Sequence, residues 1–188
     1  MRRVAKKIKA TEVSSKQVQA IIQKMLKKAY GEQKSKRKSV MVGLAAPQIG
    51  ISKRIILVDI ASDGRGKVGN LKVFINPEIT WKSKKQNEWY EGCYSISKLC
   101  GIVSRPTSIK ITALNLKMEE KYTGYVARIF QHEIDHLNGK LFVDKILNPN
   151  HLHLVEKDDF PLYRDQEAWR NWPKKYPLPL ASLRLVKV

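Results

Sequence analysis

Acidic charge, cysteine and long apolar runs are all scarce in this 188-residue chain. No stretch of about 20 consecutive apolar residues occurs, so no membrane-spanning helix is expected. Met1 is followed by Arg2, Arg3 and Lys6 without an apolar run, which does not read as a secretory signal. There is no internal repeat and no glycine-rich phosphate-binding motif. Cys93 and Cys100 are the only cysteines. One bridge is a poor framework for a secreted domain, so reduced thiols in a cytosol-like compartment are expected. Seventeen acidic residues face 36 basic ones, for a net charge of +19. That excess favours an anionic partner over a neutral one. Lysines gather at Lys6, Lys7 and Lys9, across 24–28 and across 34–38, which predicts one positive end. The length suits a single core-forming domain.

Against this background one short run carries chemistry. Gln131-His132-Glu133-Ile134-Asp135-His136-Leu137-Asn138-Gly139 contains His-Glu-x-x-His. On a helix, His132 and His136 lie four positions apart on one face, where two imidazoles can share a metal ion. Glu133, beside the first of them, can handle protons on a water at that ion. The pattern points to metal-assisted hydrolysis. The plainer reading is an amphipathic helix with two satisfied histidines, and a third ligand separates the two.

Three sources for that ligand compete. The long protease pattern needs a third His three positions after Gly139, where Phe142 stands and cannot bind metal. A second protease class draws a Glu from a following helix, and Glu156 lies 20 positions after His136. Its surroundings show no helical apolar stripe, and a solvated charge is the competing reading. The third source is Cys93, in Glu91-Gly92-Cys93-Tyr94-Ser95. One thiolate and two imidazoles make a three-ligand open site. Alone, Cys93 reads more readily as a small buried apolar residue than as a ligand.

Val42-Gly43-Leu44-Ala45-Ala46-Pro47-Gln48, the Cys93 block and the His132 block occur in the order and rough spacing of the three signature motifs of peptide deformylases. The chain resembles that family over residues 1–147, with 101–106 and 124–128 as matching connectors. The resemblance implies an enzyme that removes the formyl group from the N-terminal formyl-methionine of new polypeptides and releases formate. Cys93, His132 and His136 would hold one divalent metal, Fe(II) in the cell, with Zn, Ni or Co able to replace it. Glu133 would move the proton. The Gln48 side-chain amide and the backbone N–H of Tyr94 would stabilise the oxyanion. Gly43 and Gly92 would let an extended substrate approach as an added strand, the rival reading being two turn glycines. Tyr125 and Ile129 are candidates for the methionine pocket, or plain core. Arg105 is expected to pair with Glu91 or Asp135. The partners implied are the nascent formyl-methionyl peptide and the ribosome, met through the basic surface. No membrane and no sequence-specific nucleic acid is implied. The location expected is cytoplasmic, of bacterial type, rather than organellar. Two alternatives stay open: a metallopeptidase using His132, His136 and Glu156, or a catalytically weak, ribosome-binding relative.

The fold class expected is α+β, with short antiparallel sheets packed around a central helix that carries the His-Glu-x-x-His motif. Val18, Ile21, Ile22, Met25, Leu26 and Ala29 predict a first helix, with Ser14 and Gln17 as a capping box. A lysine-rich loop is expected over 31–39, strands over 54–60, 72–79 and 108–114, a turn over 61–69, and the motif helix over 124–138 with Gly139 as cap. Residues 1–148 form the expected catalytic domain. Residues 149–188, with Trp169 and Trp172, form an extension packed on it or docking a partner. The chain departs from the family pattern at Met41, where glycine is usual and where a side chain is expected to narrow access or change the turn. The 31–39 loop reads as an insertion and the hairpin within 115–122 as shortened. A dozen or so residues ordinarily precede the position of Met1 in that family.

Overall fold

The computed structural model describes residues 2–33 and 41–175. Among the described residues, nine strands form three antiparallel sheets of three strands each, arranged around one long buried helix. The first sheet joins β1 (Gly43–Ala45), β2 (Ile55–Asp59) and β3 (Leu71–Ile75). The second joins β4 (Glu78–Lys82), β7 (Ser108–Thr112) and β8 (Glu120–Thr123). The third joins β5 (Gln86–Cys93), β6 (Ile96–Pro106) and β9 (Leu152–Leu154). Helix α1 is Lys16–Gln33 and the motif helix, α2, is Gly124–Leu137; short α3 (Phe160–Tyr163) and α4 (Gln166–Arg170) follow. The α+β expectation holds.

Strand β2 shows why two cores form. All five of its residues are buried, and successive side chains point to opposite faces. Ile55 and Leu57 meet Val18, Ile22, Met25 and Ala29 of α1, while Ile56 and Val58 meet Phe130, Ile134 and Leu137 of α2. Phe130 stands edge-on to Phe74, with ring centroids 4.7 Å apart. Each such buried side chain contributes about 1.5–3 kcal/mol of transfer free energy. Strand β6 repeats the device. Leu99 and Val103 pack with Phe142, Val143 and Ile146, and Cys100 and Ile102 pack with Tyr163, Trp169 and Trp172.

Several local expectations shift. The N-terminal cap of α1 is Ser15, whose Oγ accepts from the Val18 N–H at 3.3 Å, rather than Ser14. The helix continues through Gly31 to Gln33, so 31–33 are helix rather than the loop expected there; positions 34–39 lie outside the described residues. The strand expected over 72–79 is two strands. Asn76 takes a positive φ of 50° and Pro77 has no N–H for a ladder. The Asn76 amide exchanges two hydrogen bonds with the Ile8 backbone, at 2.7 and 3.0 Å, which fixes the break. Met41 turns inward rather than towards solvent. Its side chain is buried in the α1 core, and positive φ among the described non-glycine residues is confined to Asn76 and Lys98.

Candidate metal centre

Helix α2 is buried along most of its length, including the polar residues Arg128, Gln131, Glu133 and His136. It ends at Gly139, whose φ is 69° and where a Cβ would lie 2.6 Å from the Arg2 carbonyl oxygen. Only glycine satisfies both conditions. The four-residue spacing puts the His132 and His136 Nε2 atoms 3.2 Å apart. Cys93 arrives from the end of β5, where the β5–β6 register shifts between Gly92 and Cys93. Such an irregularity re-aims a side chain, and the Cys93 Sγ lies 3.3 Å from His136 Nε2. The three donor atoms fall within 4.8 Å of one another.

A hydrogen-bonded cage orients these donors. Glu91, buried on β5, accepts from Arg105 Nε at 2.6 Å and Nη2 at 2.9 Å, and from Arg128 Nη1 at 2.7 Å. Its Oε2 lies 3.0 Å from His132 Nδ1. Burial alone would raise the Glu91 carboxyl, but Arg105 and His132 hold it well below the ordinary value. An ionised Glu91 accepts a hydrogen bond from the His132 Nδ1–H, which leaves the Nε2 lone pair facing Cys93 and His136. Arg105 also donates to Asp135 at 2.8 Å, so it pairs with both carboxylates named for it. Burial disfavours charge on His132, yet its contacts with Cys93 and Glu91 raise it well above the ordinary value. Burial, reinforced by His132, pushes neighbouring His136 down to about 2.

The donor set fits a divalent ion. Donor atoms around a tetrahedral ion of ordinary Zn–N and Zn–S bond lengths stand roughly 3.3–3.6 Å apart. The observed 3.2 and 3.3 Å separations lie at or just below the short end of that range, and all three donors fall within 4.8 Å of one another. Glu133 adds an orphaned buried atom, since its Oε2 meets no partner among the described groups. Burial raises its carboxyl to about 7.

Gln48 lies in a 3-10 turn, Ala46–Ile49, directly after β1. Its Oε1 accepts from the Ala45 N–H at 2.7 Å, which turns its amide nitrogen towards Cys93 Sγ at 3.6 Å. Tyr94 is half exposed, with Lys28 Nζ 4.8 Å from its ring centroid. Gly43 and Gly92 lie in strands, so neither is a turn glycine. Ile129 packs in the α2 core beside Gly43. Tyr125 lies with Trp89 and Arg128 along a recess of 280 Å³. Glu156 is overturned as a third ligand. Backbone bonding of Val155 to Lys98 carries the chain along β6, and the exposed Glu156 carboxylate pairs with Lys98 at 3.1 Å. The sequence reading missed Arg128, whose position before the motif on a buried helix face was the available signal.

Three donors with a fourth position open are the arrangement of a catalytic rather than a structural metal centre. The profile of the polypeptide deformylase family matches residues 1–151, and the chain belongs to that family. It is 48% identical over 107 residues to the peptide deformylase of Natranaerobius thermophilus, covering 55% of this chain and 65% of that one. A deformylase of Polynucleobacter necessarius is 42% identical over 106 residues, covering 55% of this chain; the chain spans 60% of its length. Among solved structures, the class I type b peptide deformylase of Acinetobacter baumannii, bound to Met-Ala-Ser, superposes with a TM-score of 0.67 at 34% identity. That match covers 77% of this chain and 91% of the other. A probable peptide deformylase from Synechococcus phage S-SSM7 gives a TM-score of 0.63 at 36% identity, covering 77% and 92%.

Proposed function

We propose that this chain is a metal-dependent deformylase, removing the formyl group from the N-terminal formyl-methionine of newly made polypeptides. The observation that carries the reading is the convergence of Cys93 Sγ with the Nε2 atoms of His132 and His136 beside Glu133, in a member of this family. Cys93, His132 and His136 would hold one divalent ion, Fe(II) in the cell, with Zn, Ni and Co as substitutes. When bound, such an ion supplies Lewis acidity and lowers the pKa of a water towards about 7.

The chain's own groups do the rest. Glu133, orphaned and raised to about 7, takes a proton from the attacking water and passes it to the departing amine. Water adds to the formyl carbon, the C–N bond breaks, and formate and a free α-amine result. The Gln48 amide, held by Ala45, and the Tyr94 N–H donate to the oxyanion. Loss of one such donor costs about 10²–10³ in kcat. Gly43 and Gly92, lying in strands, offer backbone to an extended peptide. The Met-Ala-Ser ligand of the Acinetobacter relative supports a methionine-first substrate. Ribosome contact through the excess of basic charge and a cytoplasmic setting complete the reading. The described part of the 149–188 extension, residues 149–175, is read as packed on the catalytic domain, supported by buried Tyr163, Trp169 and Trp172.

The test is anaerobic purification, metal analysis and a formate-release assay on formyl-methionyl peptides. One divalent ion per chain and formate release, both lost in Cys93→Ser, are expected. An ion bound with no formate released overturns the activity, and an ion retained by Cys93→Ser overturns the ligand set.

A further inference from the structure

On another face of α2 from the histidines lies a cleft of about 590 Å³. Gln131, Ile134, Asp135 and Asn138 form its α2 wall, at helical positions rotated well away from His132 and His136. Six cationic residues line it against two carboxylates. Both carboxylates are already engaged. Glu78 binds Lys7 at 2.6 Å, and Asp135 binds Arg105 at 2.8 Å with Lys145 at 3.7 Å.

Arg54, Lys82 and Lys140 are left over, and none has an ion pair with a carboxylate among the described residues. They converge from the start of β2, the end of β4 and the segment after α2. Arg54 is 7% exposed. It donates to Asn138 Oδ1 at 2.9 Å and, less closely, to the Leu137 and Pro77 carbonyls. Its Nε meets no partner. Carbonyl dipoles and the charge of Glu78 at longer range offset part of that buried charge, and nothing comparable serves Lys82 and Lys140 among the described residues. Three cations around a concavity, none in close contact with a carboxylate among the described residues, select an anion of more than one charge. Arg and Lys together are the usual recognition set for phosphate.

We propose that this cleft is a second site, one that binds phosphate groups. They would come from a free polyphosphate-type anion or from the backbone of an RNA strand. The site does not depend on the deformylase reading, and its test needs no catalysis. Calorimetric titration of the full chain with pyrophosphate, and separately with an eight-nucleotide RNA, at two salt concentrations, separates the two sources. Lys82→Glu with Lys140→Glu should weaken binding by about tenfold or more, the worth of one charge-assisted hydrogen bond. If RNA is the ligand, the salt slope should also fall by about two, one for each phosphate contact removed. Lys82→Gln with Lys140→Gln, checked by melting temperature, serves should the charge reversals fail to fold. Formate release should match that of the parent chain. Lys24→Glu with Lys27→Glu, on the exposed side of α1, should leave binding unchanged. Binding of neither probe, survival of binding in the Lys82/Lys140 variants, or equal loss in the α1 variant would overturn the site.

Discussion

Alanine at position 43 would introduce a single methyl group against the residue read as the proton carrier. A Cβ built on Gly43 overlaps Glu133 Oε1 and lies 2.9 Å from Glu133 Cδ and 2.8 Å from Ile129 Cγ2. Gly43 has no positive φ, so the whole effect is steric. Ile129 is locked in the α2 core, and β1 is held by its ladder to β2, which leaves the Glu133 carboxylate as the group that gives way. Restoring ordinary contact needs a retreat of about 0.5–1 Å, and a 1 Å misplacement of a reacting group can cost about 10²-fold in rate. Overpacking by one methyl also costs about 1–3 kcal/mol, or roughly 2–12 °C in Tm for a chain of this size. The donors Cys93, His132 and His136 are untouched, so metal content should hold at one per chain. Formate release should then show kcat about a hundredfold lower with KM little changed. A kcat within twofold of the parent refutes the reasoning, because Glu133 would then not need its present place. Loss of metal refutes it too, by moving the damage to the donors.

Arg105→Ala removes two of the donors to buried Glu91 and should cost about 3–5 kcal/mol. Metal affinity should fall about 10–100-fold as His132 loses its orientation; unchanged Tm and metal retention would reject the cage. Trp169→Ala, which empties a fully buried site against Cys100 and Ile102, should cost about 3–5 kcal/mol in chemical denaturation. An unaltered midpoint would detach the extension from the domain. His153 is buried between the Tyr163 hydroxyl and the Asn150 carbonyl, each at 2.8 Å. Burial, reinforced by Lys175, pushes it down to about 4. The unfolded chain binds that proton first, so stability should fall as pH drops from about 6.5 towards 4, by at most about 3 kcal/mol. Denaturation of His153→Gln across that range should lose this part of the slope, and an identical slope would contradict it.

What the sequence disclosed follows the range of the interactions involved. His132, Glu133 and His136 are legible because a helix fixes their relation within one turn. Cys93 is 39 positions from His132, and no local rule brings them together; the resemblance of three ordered motifs did. Glu156 shows the converse, a plausible spacing defeated because strand β9, pairing with β6, leaves Glu156 exposed beside Lys98. Strand β5 passed unread because Gln86, Asn87 and Glu88 are exposed and show no apolar alternation. The break at Asn76–Pro77 was visible in principle, since a proline cannot serve a central ladder. Arg128 is not legible in the sequence, because a buried arginine makes sense only with Glu91 at 2.7 Å from it.

The two thiols end in opposite circumstances. Cys100 is fully enclosed, close beneath Gly92, and burial drives its thiol up to about 12. Cys93 is only partly covered. An alkylating reagent applied to the native chain therefore meets one reactive sulfur, and both only after denaturation. The stoichiometry of labelling becomes a built-in gauge: occupancy of the site by an ion should silence it, and oxidation should register at that one atom.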